Sequence, residues 1–145
     1  MNERLKQLYK TVILAHNKDP FHYEKKEAAT HRVEAYNSLC GDKFQVFLEV
    51  EDDQIRQVHF HGYGCAISKA ATSVLAMQLE GKTVQEATAL CAQFQRLVTD
   101  DSAEMVDVPE DFEAFTAARD FPGRLTCATL SWEAVEEFLK KGATD

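Results

Sequence analysis

At Gly62-Tyr63-Gly64 the hydrophobic pattern changes from strand-like alternation to helical spacing, and this dictates what is laid down first. Before it, Phe44, Val46, Leu48 and Val50 alternate with Gln45, Phe47, Glu49 and Glu51, the pattern of a half-buried strand. Glu51 to Gln54 reads as a polar turn, and Ile55 to His61 as a second strand with Val58 and Phe60 on one face. The two form a hairpin, joined by a short strand over His31 to Tyr36. After it, Ile67, Ala70, Ala71, Val74, Leu75 and Leu79 make one helical stripe that Gly81 ends.

A second helix carries Val84, Ala87, Cys91, Phe94 and Val98, with Thr83 and Glu86 spaced as a capping box. Residues 99–108 are acidic and loop-like. Pro109 suits a first helical position, with Phe112 and Phe115 on one face of the helix it starts. Phe121-Pro122-Gly123 breaks the pattern before a last helix holding Leu130, Ala134, Val135, Phe138 and Leu139. Ahead of the sheet, Leu5, Leu8, Tyr9, Val12 and Ile13 predict an amphipathic helix over residues 3–15, and residues 17–31 read as a loop. The expected fold is α+β, a small three-stranded antiparallel sheet packed against several helices. The 145 residues are expected to form one domain over 1–145, since no repeat or linker interrupts them.

Composition narrows the function. With 24 acids against 16 bases the net charge is −8, unsuited to general nucleic-acid binding, which needs clustered Lys and Arg. No stretch approaches the ~20 apolar residues of a membrane span. The basic residues Arg4, Lys6 and Lys10 interrupt the early apolar ones, so no signal peptide is expected. The expected compartment is a reducing cytoplasm, where four cysteines are thiols or metal ligands rather than disulfides.

Three of those cysteines stand at changes of chain direction. Cys40-Gly41-Asp42 lies between the first strand and the hairpin, Cys65 follows Gly64 at a helix start, and Cys127 follows the Phe121-Pro122-Gly123 break. Three thiolates and a carboxylate, Cys40, Cys65, Cys127 and Asp42, are a donor set for a tetrahedral zinc site. The helix dipole at Cys65 favours the thiolate. The plainer reading of a cytosolic cysteine is a small core hydrophobe. Cys91 fits it, lying on its helix's apolar stripe. No Cys-x-x-Cys occurs, so neither a zinc ribbon nor a thioredoxin-like dithiol is expected. His59 and His61 share one strand face and are read as solvated or satisfied rather than as ligands.

Three segments carry a family resemblance: Tyr36-Asn37-Ser38-Leu39-Cys40-Gly41-Asp42, Gly62-Tyr63-Gly64-Cys65-Ala66-Ile67-Ser68-Lys69-Ala70 and Arg124-Leu125-Thr126-Cys127-Ala128-Thr129-Leu130-Ser131-Trp132. Together they resemble the iron–sulfur cluster assembly proteins of the IscU/NifU N-terminal superfamily, nearest the SufU branch, over almost the whole chain. The IscU branch has a His directly before the last cysteine, where this chain has Thr126. It also carries a Leu-Pro-Pro-Val-Lys chaperone motif, where this chain has Phe121-Pro122-Gly123-Arg124-Leu125. The segment between Cys65 and Cys127 is longer than in the IscU branch, as in SufU.

The resemblance implies a SufE/NifU-like fold in which Cys40, Asp42, Cys65 and Cys127 bind Zn2+. It implies a sulfurtransferase-like partner of a SufS-like, pyridoxal-phosphate cysteine desulfurase, taking persulfide sulfur on Cys40 as the catalytic residue. In the family picture, a histidine of the desulfurase displaces Cys40 from the zinc. Arg124, three residues before Cys127, is expected to offset the site's negative charge or steady the persulfide. Downstream iron–sulfur assembly proteins or apoproteins would receive the sulfur. The alternative within the family is a scaffold that assembles a [2Fe–2S] cluster on the same four residues. A zinc hydrolase or deaminase is disfavoured, because a fourth protein ligand fills the open position that catalysis requires and the deaminase signature is missing. A purely structural zinc domain is the remaining reading.

Overall fold

The structure is a computed structural model that describes residues 2–39, 41–100, 102–103 and 107–142, at Pro122 the backbone alone. Its centre is a sheet of order β1-β2-β3, formed by His31–Asn37, Asp42–Glu51 and Gln54–Tyr63, all antiparallel. The β2–β3 turn has Asp52 and Asp53 both at positive φ, 53° and 60°. That left-handed pair matches the twist of its flanking strands and is tolerated by aspartate better than by most side chains.

The hydrophobic alternation sorts the two faces. Phe44, Val46 and Leu48 of β2 and Val58 and Phe60 of β3 join the core beneath α3 (Ala66–Leu79), α4 (Val84–Thr99) and α6 (Leu125–Lys140). The sheet precedes α3, α4 and α6 in the chain and packs against them, the α+β arrangement expected. The N-terminal helix runs past its predicted end. Beyond α1 (Glu3–Leu8) it continues through a π-helical stretch, Tyr9–Leu14, into α2 (Ala15–Lys18), burying Leu8, Val12 and Ile13. The capping box before α4 forms as predicted: the Glu86 N–H donates to Thr83 Oγ1 and the Thr83 N–H to Glu86 Oε1, both at 3.0 Å. Pro109 sits one place earlier than predicted, as the N-cap of α5 (Glu110–Ala114), which tightens into a 3-10 turn, Phe115–Asp120. A second 3-10 turn, Pro122–Arg124, feeds directly into α6.

Polar contacts align α3 and α6 inside the core. The Trp132 indole N–H donates to the Ala71 carbonyl at 3.0 Å, and the hydroxyls of Thr72 and Ser131 lie 2.7 Å apart. Trp132 stacks on Phe94 with ring centroids 4.2 Å apart, and Phe112 meets it edge-on at 5.2 Å. Burying these rings is the main favourable term here, and their offset and edge-on pairings add about 1 kcal/mol each. Buried hydrogen bonds between two helices fix their relative register, because sliding would leave donors unsatisfied.

The second sheet face is not the solvated surface that alternation in β2 implied. Phe47 is only 1% exposed and His59 only 8%. The segment after α2 crosses over them. Its backbone bonds the free edge of β3: the Phe60 N–H donates to the His22 carbonyl at 3.1 Å and the Glu24 N–H to the Phe60 carbonyl at 2.8 Å. Tyr23 and Phe60 form a parallel bridge, and the His22 ring stacks on His59 with centroids 4.4 Å apart. Both His59 and His61 are thus accounted for by ring stacking, His61 against Tyr23.

A pH dependence follows from this burial. Desolvation holds His59 below its ordinary value, helped by the charge of His22, and desolvation likewise holds His16 down where its Nδ1 lies 2.7 Å from Ser73 Oγ. The unfolded chain then takes up these protons at a higher pH than the folded one. Stability is complete above the unfolded pKa of about 6.5 and falls as pH drops below it. The denaturant midpoint should be flat from about pH 8 to pH 7 and decline below about pH 6.5, less steeply in His59→Phe. An identical acid slope in that variant would remove His59 from the account.

Candidate metal centre

The end of the sheet where β1 turns into β2 meets the first turns of α3 and α6. Asp42 opens β2, paired with Asn37, and its side chain points to the helices, 2% exposed. The Cys65 N–H donates to Asp42 Oδ1 at 3.1 Å. Cys65 is the N-cap of α3, its Sγ accepting the Ser68 N–H at 3.4 Å, and the Ser68 hydroxyl donates to the Cys65 carbonyl at 3.0 Å. A helix N-terminus favours negative charge on the sulfur that caps it. Cys127 lies in the first turn of α6, 1% exposed. Asn37 Nδ2 reaches Thr126 Oγ1 at 3.4 Å, linking the end of β1 to that turn.

Two glycines make the convergence possible. A Cβ on Gly64 would lie 2.7 Å from Asp42 Oδ1 and 2.9 Å from Phe44 Cε2, so only glycine lets Cys65 close on Asp42. Gly62 has φ +148° and would place a Cβ 2.7 Å from the Phe44 Cα, so β3 can cross β2 closely only without a side chain there.

One ligand atom from each of Asp42, Cys65 and Cys127 can be chosen so that all three lie within 4.8 Å of one another. A tetrahedral zinc site with ordinary bond lengths has ligand–ligand edges of roughly 3.5–3.8 Å, a small contraction away. With both sulfurs as thiolates, two sulfurs and a nearly buried carboxylate this close would repel one another. A cation between them would offset that repulsion. The donor set fits zinc, which takes sulfur and carboxylate ligands together. Arg124, the N-cap of α6, contributes positive charge from the solvent side. A hydrogen bond to Cys127 and the charges of Cys65 and Cys127 hold its pKa above the ordinary value.

The structure therefore brings Asp42, Cys65, Cys127 and Arg124 together, from three segments far apart in sequence. Cys40 lies outside the described residues. Its neighbours Leu39 and Gly41 belong to the loop at this same end, where the Gly41 N–H donates to the Asn37 carbonyl at 2.8 Å. Leu39 is 96% exposed, and Tyr36, Tyr63 and Phe121 are exposed as well. Cys91 stays in the core at 0% exposure, where burial pushes its thiol pKa up, away from any ligand role. Sequence reasoning did not single out Ser68 and Asn37. The signal for Ser68 was its position three residues after a capping residue; Asn37 has no such signal.

The model of the NifU-like N-terminal domain matches residues 8–141. The chain belongs to this family. Among NifU-like relatives, it is 32% identical over 97% of its length to the zinc-dependent sulfurtransferase SufU of Bacillus subtilis, covering 95% of that protein. It is 31% identical, again over 97% of its length, to the iron–sulfur cluster assembly scaffold protein IscU of Streptococcus pyogenes, covering 87% of it. A crystal structure of a SUF-system iron–sulfur cluster assembly scaffold protein from Fervidobacterium islandicum superposes with a TM-score of 0.82 at 30% identity. That match spans 92% of this chain and 97% of the other. No helix among the described residues is long and apolar enough to cross a membrane.

Proposed function

We propose that this NifU-like chain is a zinc-binding sulfur acceptor in iron–sulfur cluster biogenesis, serving a pyridoxal-phosphate cysteine desulfurase. The observation that carries the reading is the meeting of Asp42, Cys65 and Cys127 beside Arg124, at the loop end whose sequence includes Cys40. Thr126 before Cys127, where the IscU branch has histidine, supports it over a scaffold, and a zinc-dependent sulfurtransferase is among the relatives at 32% identity. Asp42, Cys65, Cys127 and Cys40 would hold the metal. Bound zinc supplies a divalent charge without redox chemistry that keeps its thiolate ligands deprotonated.

Cys40 is the acceptor. Its thiolate attacks the outer sulfur of the donor's cysteine persulfide. A sulfur–sulfur bond forms to Cys40, the donor's sulfur–sulfur bond breaks, and the electron pair leaves on the donor's cysteine thiolate. No external oxidant or reductant is needed, because one persulfide replaces another. Arg124 steadies the negative charge at the site, and the exposed Leu39, Tyr36 and Tyr63 leave the loop open to a large partner. The chain works as one domain over residues 1–145 in the cytoplasm, passing sulfur to downstream iron–sulfur assembly proteins or apoproteins.

The competing reading, a scaffold for a [2Fe–2S] cluster on the same residues, is favoured by the scaffold name of the Streptococcus relative. One experiment separates them. The zinc-loaded protein is incubated with a cysteine desulfurase and sulfur-labelled cysteine, then resolved without reductant. Label on the chain, lost in Cys40→Ser, is the expected result. A protein that takes no label, and that binds iron and sulfide with a visible charge-transfer band, would be a scaffold.

A further inference from the structure

Just past the metal centre, on the opposite face of the sheet, lies an open hollow of about 340 Å3 lined by Lys25, Lys43, Gln45, His61, Gly62 and Tyr63. No acid lines it, although the chain as a whole carries a net charge of −8. Two acids stand beside it, each with a partner: Glu24 pairs with Lys26 at 3.4 Å, and Glu34 accepts a hydrogen bond from Nε2 of the lining residue Gln45 at 3.4 Å. Among the described residues Lys25 and Lys43 belong to no ion pair, and both side chains are exposed. A third cation stands behind them. Lys69 Nζ sits 4.7 Å from the centre of the Tyr23 ring, which stacks on His61 at 4.8 Å. The Tyr23 hydroxyl donates to the Gly62 carbonyl and holds that stack against the floor of the hollow.

The rim is aromatic. Strand pairing sets Tyr36 of β1, Lys43 of β2 and Tyr63 of β3 side by side on one face, both tyrosines well exposed. Lys43 follows Asp42 in β2 and Tyr63 precedes Cys65 by two residues, so the hollow and the metal centre share one end of the molecule. Paired side chains of adjacent strands lie on the same face, and consecutive residues alternate, which puts Asp42 toward the helices and Lys43 away.

We propose that this hollow docks an acidic segment of the partner that delivers sulfur, a conclusion that rests on the function proposed above. The lining argues for a protein segment over a small anion. It offers two mobile point charges and no arginine fork, so it does not build the bidentate geometry that fixes a free phosphate or carboxylate. Exposed tyrosines flanking a lysine supply the rigid, amphipathic contact area typical of protein interfaces. Basic charge concentrated in one place on an acidic molecule steers an acidic partner to this end, where an undirected encounter would be repelled.

The test has two arms. Fluorescently labelled octaglutamate is titrated into the zinc-loaded protein in about 50 mM salt and followed by anisotropy. Wild type should bind it, Lys25→Glu/Lys43→Glu roughly tenfold more weakly, and Lys25→Gln/Lys43→Gln in between, with zinc content equal in all three. Absence of binding to wild type, or equal binding to the double variant, overturns the proposal. So does displacement of the peptide by inorganic phosphate at equal charge concentration, which would mark a small-anion site only. In the second arm, the concentration of this chain needed for half-maximal desulfurase stimulation should rise roughly tenfold in the charge-reversed variant, with the plateau unchanged. The difference should shrink in about 0.5 M salt. Unchanged half-saturation against a responsive wild type refutes the docking surface. A wild type that does not stimulate the enzyme, while still binding octaglutamate, refutes the function reading instead.

Discussion

Cys65→Ser should purify with less than about a tenth of the wild-type zinc, and its melting should no longer respond to chelator. Cys65 has two jobs. It caps α3 through its Sγ, which accepts the Ser68 N–H, and it faces Asp42 and Cys127 within 4.8 Å. Serine caps a helix at least as well as cysteine, so the substitution keeps the first job and removes the second. The zinc-free forms of wild type and variant should therefore unfold together. Zinc at a thousandfold excess over its dissociation constant should stabilise the wild type by about 4 kcal/mol. For a chain of this size that is a melting shift on the order of 10 °C. Scanning calorimetry with and without chelator reads both comparisons, and a variant that keeps its zinc shows that Cys65 is not a ligand. The metal-free protein should remain folded, because the aromatic cluster around Trp132 and the α3–α6 hydrogen bonds do not depend on the site.

Gly62→Ala should be the most damaging single methyl group in the molecule. The residue holds φ +148°, and a Cβ there meets the Lys43 carbonyl and sits 2.7 Å from the Phe44 Cα. Both obstacles are backbone, so no side chain can swing aside. β3 must separate from β2 at the point that carries Asp42 and leads to Cys65. Backbone strain and overpacking together make a loss of about 3 kcal/mol or more, which lowers the melting temperature by ~10 °C. Zinc affinity should fall with it. Gly123→Ala is the control, since a Cβ there meets nothing within 4 Å. Equal melting of the two variants would show that the β2–β3 crossing tolerates a side chain.

Much of this architecture is legible in the residues because local patterns decide it. Period-two spacing in Phe44–Val50 and Ile55–His61 is a property of neighbours in the chain, and the structure repeats it as β2 and β3. The Thr83–Glu86 box needs four residues and forms where it was read. The candidate centre was legible for a different reason: Cys65 and Cys127 sit at helix starts, and a helix start aims its side chains from a fixed place. What was not legible depends on partners with no local signature. Nothing in His22-Tyr23-Glu24 announces that it will add itself to the edge of β3, and so the burial of Phe47 and His59 was not foreseen. The same holds for Arg119, which donates to the Leu97 and Asp100 carbonyls at the end of α4. It also holds for the basic hollow, which exists because strand register sets Lys43 between two tyrosines and the crossing segment delivers Lys25.

The chain has a single tryptophan, and its position makes the protein its own optical gauge. Trp132 lies on the helix that begins beside Cys127, and its indole bonds to the helix that begins at Cys65. Any event that tilts one helix against the other changes the polarity and hydrogen bonding that the indole senses. Metal loading that shifts α3 against α6 should therefore register in the emission, in real time and without an attached label.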